Sequence, residues 1–133
     1  TSSCTSLHSI EHGLTATYPD LPHGAGLLML SKPYFTFFAR YVPDRCIKMA
    51  HILGVSTDGM DEAQKPFAFV DAMMDLQRRC GVADLKMSDY GVEADKMEQI
   101  ARNAHKTMSN LFAMDRYSLS LKETVDILTE AYK

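Results

Sequence analysis

The 133-residue sequence is poor in cysteine, with only Cys4, Cys46 and Cys80, widely spaced and without a C-x-x-C pair. So scattered an odd set supplies neither a disulfide framework nor a cysteine zinc cluster, and a reducing cytoplasm is the compartment expected. Basic charge is not in excess either: 14 Lys and Arg stand against 17 Asp and Glu, a formal net charge of -3. No nucleic-acid partner is therefore expected, since such a partner usually leaves a basic footprint. The longest apolar stretch, around Gly24 to Leu30, is far shorter than the roughly 20 residues of a membrane span, and no charged-then-apolar leader opens the chain. No membrane partner is expected. An initiator Met is missing as well. Thr1-Ser2-Ser3-Cys4 runs almost directly into patterned sequence, so the chain is expected to be cut from something longer. What remains is ordinary: 46% hydrophobic and 23% charged residues describe a folded globular chain the size of one domain, or part of one.

Alternating Val/Ile/Thr runs bounded by turns are absent, and the hydrophobic periodicity gives five or six helical segments, so the class is all-α. The last helix is the clearest. Leu121, Val125, Leu128 and Tyr132 recur at helical spacing, and Ser120 with Glu123 forms an S-x-x-E capping box at its start. Met97, Ile100, Ala101, Ala104 and Met108 trace a second stripe over roughly 93 to 109. From about 60 to 80, Ala63, Phe67, Val70, Met74 and Gln77 form a third, with Arg78 and Arg79 in its last turn and Gly81 as its stop; Pro66 moves the start toward Lys65. The segment 24 to 40 is apolar nearly all round, as a centrally buried helix would be, and Pro33 is placed to kink or divide it. A short helix over 43 to 53 opens on Pro43, turns Cys46, Ile47, Ala50 and Leu53 inward, and stops at Gly54. Loops are expected at 18 to 24, 54 to 59, 81 to 91 and 110 to 119.

Three of the five histidines crowd into residues 8 to 23, as His8-Ser9-Ile10-Glu11-His12 and then Pro19-Asp20-Leu21-Pro22-His23-Gly24. A helix over 3 to 17 sets His8 and His12 one turn apart on one face, where two imidazoles reach a common ion or ligand. The prolines stiffen a turn that returns His23 to them, and Gly24 lets the backbone approach whatever His23 holds. H-x-x-E-H at 8 to 12 also matches the inverted zinc-protease motif, with Glu11 as the group that activates water. That motif is short, and a small helical chain offers no sheet-edged substrate cleft. A random i,i+4 histidine pair is more often surface or cap residues than a site; the third histidine in P-H-G shifts the balance.

These residues resemble the iron-containing (group III) alcohol dehydrogenases. The likeness is to the C-terminal helical domain, which carries a histidine, a second four residues on, and a third in a P-H-G turn. It continues through H-G-A-G-L-L-M-L-S and on to D-R-Y-S-L-S-L-K-E-T-V-D-I-L-T-E-A-Y, most of the chain. The resemblance implies a multihelical domain of the dehydroquinate synthase-like type, here only its later part. It implies that His8 and His23 are metal ligands, for Fe2+ or Zn2+, and that His12 lies beside the nicotinamide and the reacting carbon. It implies the interconversion of a primary alcohol and an aldehyde with NAD(P). The dinucleotide-binding N-terminal domain and the D-x-x-x-H segment that completes the metal ligands are expected upstream of residue 1, so this chain alone is expected to be inactive and to hold neither metal nor nucleotide firmly. The spacing from His12 to His23 is one residue longer than in better-known members, and Ala25 replaces an asparagine common after H-G, which points to a divergent subgroup.

A zinc-dependent polyol dehydrogenase relative is the nearest enzymatic alternative, and a non-catalytic helical interaction module is the alternative from another class. Elsewhere the ordinary readings prevail. Gly24-Ala25-Gly26 lacks the third glycine and preceding strand of a phosphate loop and instead allows close helix packing. Cys4, four residues before His8, is a possible soft ligand but more often a small buried residue. His51 and His105 read as structural or surface residues, the nine methionines as core filling, and Asp20 as a turn residue. A domain cut from its neighbours would uncover apolar surface, so self-association, a homo-oligomer through residues near His8 to Phe38, is expected.

Overall fold

The computed structural model describes residues 4 to 133; Thr1, Ser2 and Ser3, where the helix expected over 3 to 17 would begin, lie outside the described residues. Among the described residues there are seven α-helices and no strand, in agreement with the all-α class. In chain order the helices are α1 (Ser6–Thr17), α2 (His23–Tyr41), α3 (Pro43–Ile52), α4 (Phe67–Arg79), α5 (Met97–Thr107), α6 (Ser109–Phe112) and α7 (Leu121–Ala131). The short 3-10 turn at Met87–Tyr90 and most of α6 occupy segments expected to be loops, whereas the 3-10 turn at Ala94–Lys96 replaces the first turn of the helix expected over roughly 93 to 109. The chain divides into two compact units, one built from residues up to Pro33 together with Leu85–Lys133, the other from Tyr34–Asp84.

In the first unit α1 packs on α5 and α6, and α5 packs on α7. The stripe read on α5 is the one that is buried: Met97, Ile100, Ala101 and Ala104. Against it α1 buries Ile10 and Leu14 together with the small residues Ser6, Ser9 and Gly13. Smallness is required here, because a methyl group at Gly13 would stand 2.9 Å from the Ile100 carbonyl oxygen. Two distant groups fix α1 lengthwise: Ser9 Oγ donates to the Met108 carbonyl at 3.1 Å, and Asp115 Oδ1 accepts from the Ser6 amide at 3.3 Å. The capping box of α7 is present, with Glu123 Oε2 accepting from the Ser120 amide at 2.8 Å. Its buried face is nevertheless rotated from the one expected. Thr124, Ile127, Leu128 and Ala131 are buried, while Leu121, Val125 and Tyr132 are half-buried. The cap fixes where the helix begins, but α5 selects the face, through a 2.9 Å hydrogen bond between His105 Nε2 and Thr124 Oγ1.

In the second unit α3 packs on α4. Pro43 occupies the first turn of α3, where its missing N–H costs no intrahelical bond. Cys46 and Ala50 point inward, but Leu53, expected inward, lies just past the helix and is 47% exposed. Burial, and secondarily the charge of Asp44, pushes the Cys46 thiol up to about 11. Helix α4 starts at Phe67, directly after Pro66, so Ala63 stands in a turn, exposed, rather than on the expected stripe. Proline disfavours a helical residue before it, which places the boundary there. Gly81 follows α4 with φ 71°, a left-handed conformation that ends helices at glycine. Aromatic rings fill this unit: Phe35 meets Phe69 edge-on at 5.1 Å and Tyr34 meets Phe38 at 4.7 Å.

Helix α2 contributes to both units. It runs unbroken through Pro33, which neither divides it nor ends it, although the boundary between the units falls directly after this proline. Its burial is less complete than expected: Met29, Leu30, Tyr34 and Phe38 are buried, but Leu27, Leu28, Phe35 and Phe37 are half-buried. From His8 to Phe38 no large hydrophobic side chain is exposed. The exposed large apolar residues are Tyr41, Ile52, Leu53 and Leu76 in the second unit and Met114 in the first. No helix among the described residues is long and apolar enough to cross a membrane.

Candidate metal centre

The three clustered histidines come together in the first unit. His8 and His12 lie on α1, one turn apart, and His23 is the first residue of α2. The intervening turn is pinned at three points. Leu21 is buried, its amide donates to the Tyr18 carbonyl at 3.0 Å, and Tyr18 Oη accepts from the Glu93 amide at 3.1 Å. Ring centroids are 5.6 Å apart for His8 and His23, 5.4 Å for His12 and His23, and 6.3 Å for His8 and His12. Two imidazoles bound at about 2.1 Å to one ion have centroids roughly 5 Å apart, so both pairs that include His23 have near-ligating separations. His23 is common to both.

A fourth group belongs to the cluster. Glu11 was noticed in the sequence only as the base of a protease motif, yet its side chain has zero exposure, whereas those of His12 and His23 are 47% and 50% exposed. Glu11 Oε2 is hydrogen-bonded to His23 Nδ1 and lies 3.9 Å from His12 Nε2. Its other oxygen, Oε1, is buried and finds no hydrogen-bond partner among the described residues. One donor atom from each of Glu11, His12 and His23 falls within 4.8 Å of the others. A general base must reach a solvent water, and a carboxylate sealed from solvent does not, which counts against the protease reading.

The glycine roles differ from those expected. A methyl group at Gly24 would meet nothing within 4 Å, so Gly24 provides no close backbone approach to the site. Gly26 does: a methyl there would stand 2.8 Å from Glu11 Oε1 and 2.9 Å from its Cγ. The lack of a side chain at position 26 thus makes the space in which Glu11 lies. Cys4 is exposed and precedes Thr5, the N-cap of α1, so it is not the small buried residue expected and does not share the helical face of His8. His51 and His105 are structural, as read, each bonded at 2.9 Å to a threonine hydroxyl, Thr57 and Thr124.

An open groove of about 740 Å³ adjoins the histidines, lined by His12, Thr15, Ala16, His23, Asn103, Thr107 and Met108. Thr15, Asn103 and Thr107 were not singled out in the sequence. The available signal was weak: Asn103 and Thr107 are one turn apart on α5, on the flank of its buried stripe, where solvated polar residues are also ordinary.

Comparison with known proteins gives this geometry a context. Similar folds occur in an archaeal halo-thermophilic alcohol dehydrogenase from a Red Sea brine pool (TM-score 0.83, 23% identity) and an alcohol dehydrogenase from Oenococcus oeni (TM-score 0.81, 26% identity). A 1,3-propanediol oxidoreductase is equally similar, with TM-score 0.83 and 21% identity. Each match covers 96% of this chain and 32% of the other, so the chain spans about a third of their length. The model of the Fe-containing alcohol dehydrogenase family, C-terminal, matches residues 1–132. With a match across nearly its whole length, the chain belongs to the iron-containing alcohol dehydrogenase family, in the C-terminal part.

Proposed function

We propose that this chain supplies part of the metal centre of an NAD(P)-linked dehydrogenase that interconverts a primary alcohol and an aldehyde. The observation that carries the reading is the convergence of three imidazoles, two of which, His12 and His23, line an open groove, with His23 common to both short pairs. The donor set fits a divalent ion: partly exposed imidazoles face the groove, and a buried carboxylate with an unpartnered oxygen lies behind them. His8 and His23 are the ligands, for Fe2+ or Zn2+. His12, whose Nε2 leans toward Glu11 and whose ring lines the groove, faces the nicotinamide and the reacting carbon. When metal and NAD(P) are bound, the chemistry is Lewis-acid polarisation of the substrate oxygen coupled to hydride transfer. Thr15, Asn103 and Thr107 offer hydrogen bonds to the alcohol, and Met108 covers its apolar end. The remaining ligands and the dinucleotide site are supplied from outside this chain, which spans about a third of the length of its relatives.

A Co2+ titration of the chain, followed by paramagnetic shifts of ring resonances, tests the ligand pair. His8 and His23 are expected to respond together, and His23→Ala to abolish the response while His12→Ala preserves it. Joint shifts of His12 and His23 with His8 unmoved would reassign the ligands.

A further inference from the structure

A buried carboxylate with one oxygen unpartnered is unfavourable unless it serves something, because an apolar side chain of similar size would pack there without losing hydration. Glu11 is such a group: its exposure is zero, Oε1 is unpartnered among the described residues, and Gly26 leaves it room. Its one strong contact is with His23 Nδ1. Nδ1 and Nε2 lie on opposite sides of the imidazole ring, and a neutral ring carries its proton on one of them only. An acceptor held against Nδ1 therefore leaves the Nε2 lone pair free.

We infer that Glu11 is a positioning residue, which accepts the Nδ1 proton of His23 and so fixes the tautomer and orientation in which His23 presents Nε2 to a divalent cation. The inference rests on the metal reading above and deepens it. Glu11 is not itself a ligand in this arrangement, although its oxygen lies within 4.8 Å of ring nitrogens of His12 and His23. The oxygen that reaches His23 is engaged on the Nδ1 side, away from Nε2, and the other is sealed against Gly26. Negative charge behind the ring also makes Nε2 a stronger donor. The same carboxylate, 3.9 Å from His12 Nε2, gives His12 a fixed neighbour without sharing His23's hydrogen bond.

Long-range 1H-15N NMR of the ring nitrogens in the metal-free chain, at a pH where the rings are neutral, reads the tautomer directly. His23 is expected to carry its proton on Nδ1, against the usual preference of free imidazole side chains for Nε2–H. Glu11→Gln, whose amide oxygen still accepts, is expected to keep the Nδ1–H form; Glu11→Leu is expected to lose it and to weaken Co2+ binding about 10- to 100-fold. A wild-type His23 protonated on Nε2 overturns the inference, and this measurement stands even if Glu11→Leu fails to fold. Loss of Co2+ binding in Glu11→Gln as severe as in Glu11→Leu also overturns it, by making Glu11 a ligand. The two readings fail separately: an Nδ1–H tautomer with no Co2+ response at His8 or His23 sinks the metal reading alone, and an Nε2–H tautomer with that response intact sinks only the role of Glu11.

Discussion

At the residue scale, the histidines illustrate how one side chain serves different ends. His105 is set between Phe112, stacked at 3.9 Å, and Thr124. The Thr124 hydroxyl donates to the Ser120 carbonyl at 2.9 Å, so toward His105 it accepts, and His105 Nε2 carries the hydrogen. This bond links α5 to α7 and needs only the neutral ring. Burial disfavours the imidazolium and lowers the His105 pKa from its ordinary 6.5. The unfolded chain then binds a proton at higher pH than the native one, so this contribution to stability is complete above about pH 6.5 and is lost as pH falls toward the lowered native value. Urea unfolding across pH 5 to 8 is expected to show a shallower acid-side decline for His105→Gln than for the wild type; parallel profiles would remove His105 from the account. Glu11 is the opposite case, a group whose burial serves a neighbour. Its role was not legible in H-x-x-E-H because the pattern names residue types and spacing, while the meaning of Glu11 comes from Gly26, fifteen positions on, which leaves the room for it.

At the element scale, what the sequence disclosed and what it hid divide along the line between local and tertiary causes. The cap at Ser120, the start of α3 at Pro43 and the stop at Gly81 are local chemistry, and all were legible. Pro66 likewise signals the late start of α4, which falls at Phe67, two residues beyond Lys65. The rotated face of α7 depends on its neighbours and the undivided course of α2 through Pro33 on its packing, and neither is written in the local sequence. Glycines give the sharpest contrast. At Gly13 an added methyl would press on a backbone carbonyl of α5 and stand 3.2 Å from the Ala104 Cβ, so the helices must separate. Overpacking costs about 1–3 kcal/mol, and the gain in helix propensity returns at most about 1 kcal/mol. Gly13→Ala is therefore expected to destabilise the chain by about 1–2 kcal/mol in urea melts. Gly24→Ala, whose methyl meets nothing, is expected to stabilise it by up to about 1 kcal/mol. Like signs for the two variants would show that the approach of α1 to α5 does not set this cost.

For the whole molecule, the all-helical class was readable from hydrophobic periodicity, and the family because H-x-x-x-H before P-H-G is a compact pattern that the fold closes into one cluster. The division into units at Pro33 and the groove between α1 and α5 were not, since both arise from contacts between segments distant in sequence. The same scale governs activity. On the proposed assignment His8 and His23 supply half of a four-ligand set, and two ligands hold a divalent ion far less firmly than four. Hydride transfer further requires a bound dinucleotide, and the described residues contain no strand-loop-helix unit of the kind that holds its pyrophosphate. The 133-residue chain, even when supplied with iron, is accordingly expected to purify without stoichiometric metal and to give no alcohol-dependent reduction of NAD or NADP. Elemental analysis combined with a nicotinamide absorbance assay checks both halves. One tightly held metal per chain would show that Glu11 and His12 join the ligand set. Metal-dependent turnover would show that the open groove beside His12 and His23 binds the nucleotide without such a unit.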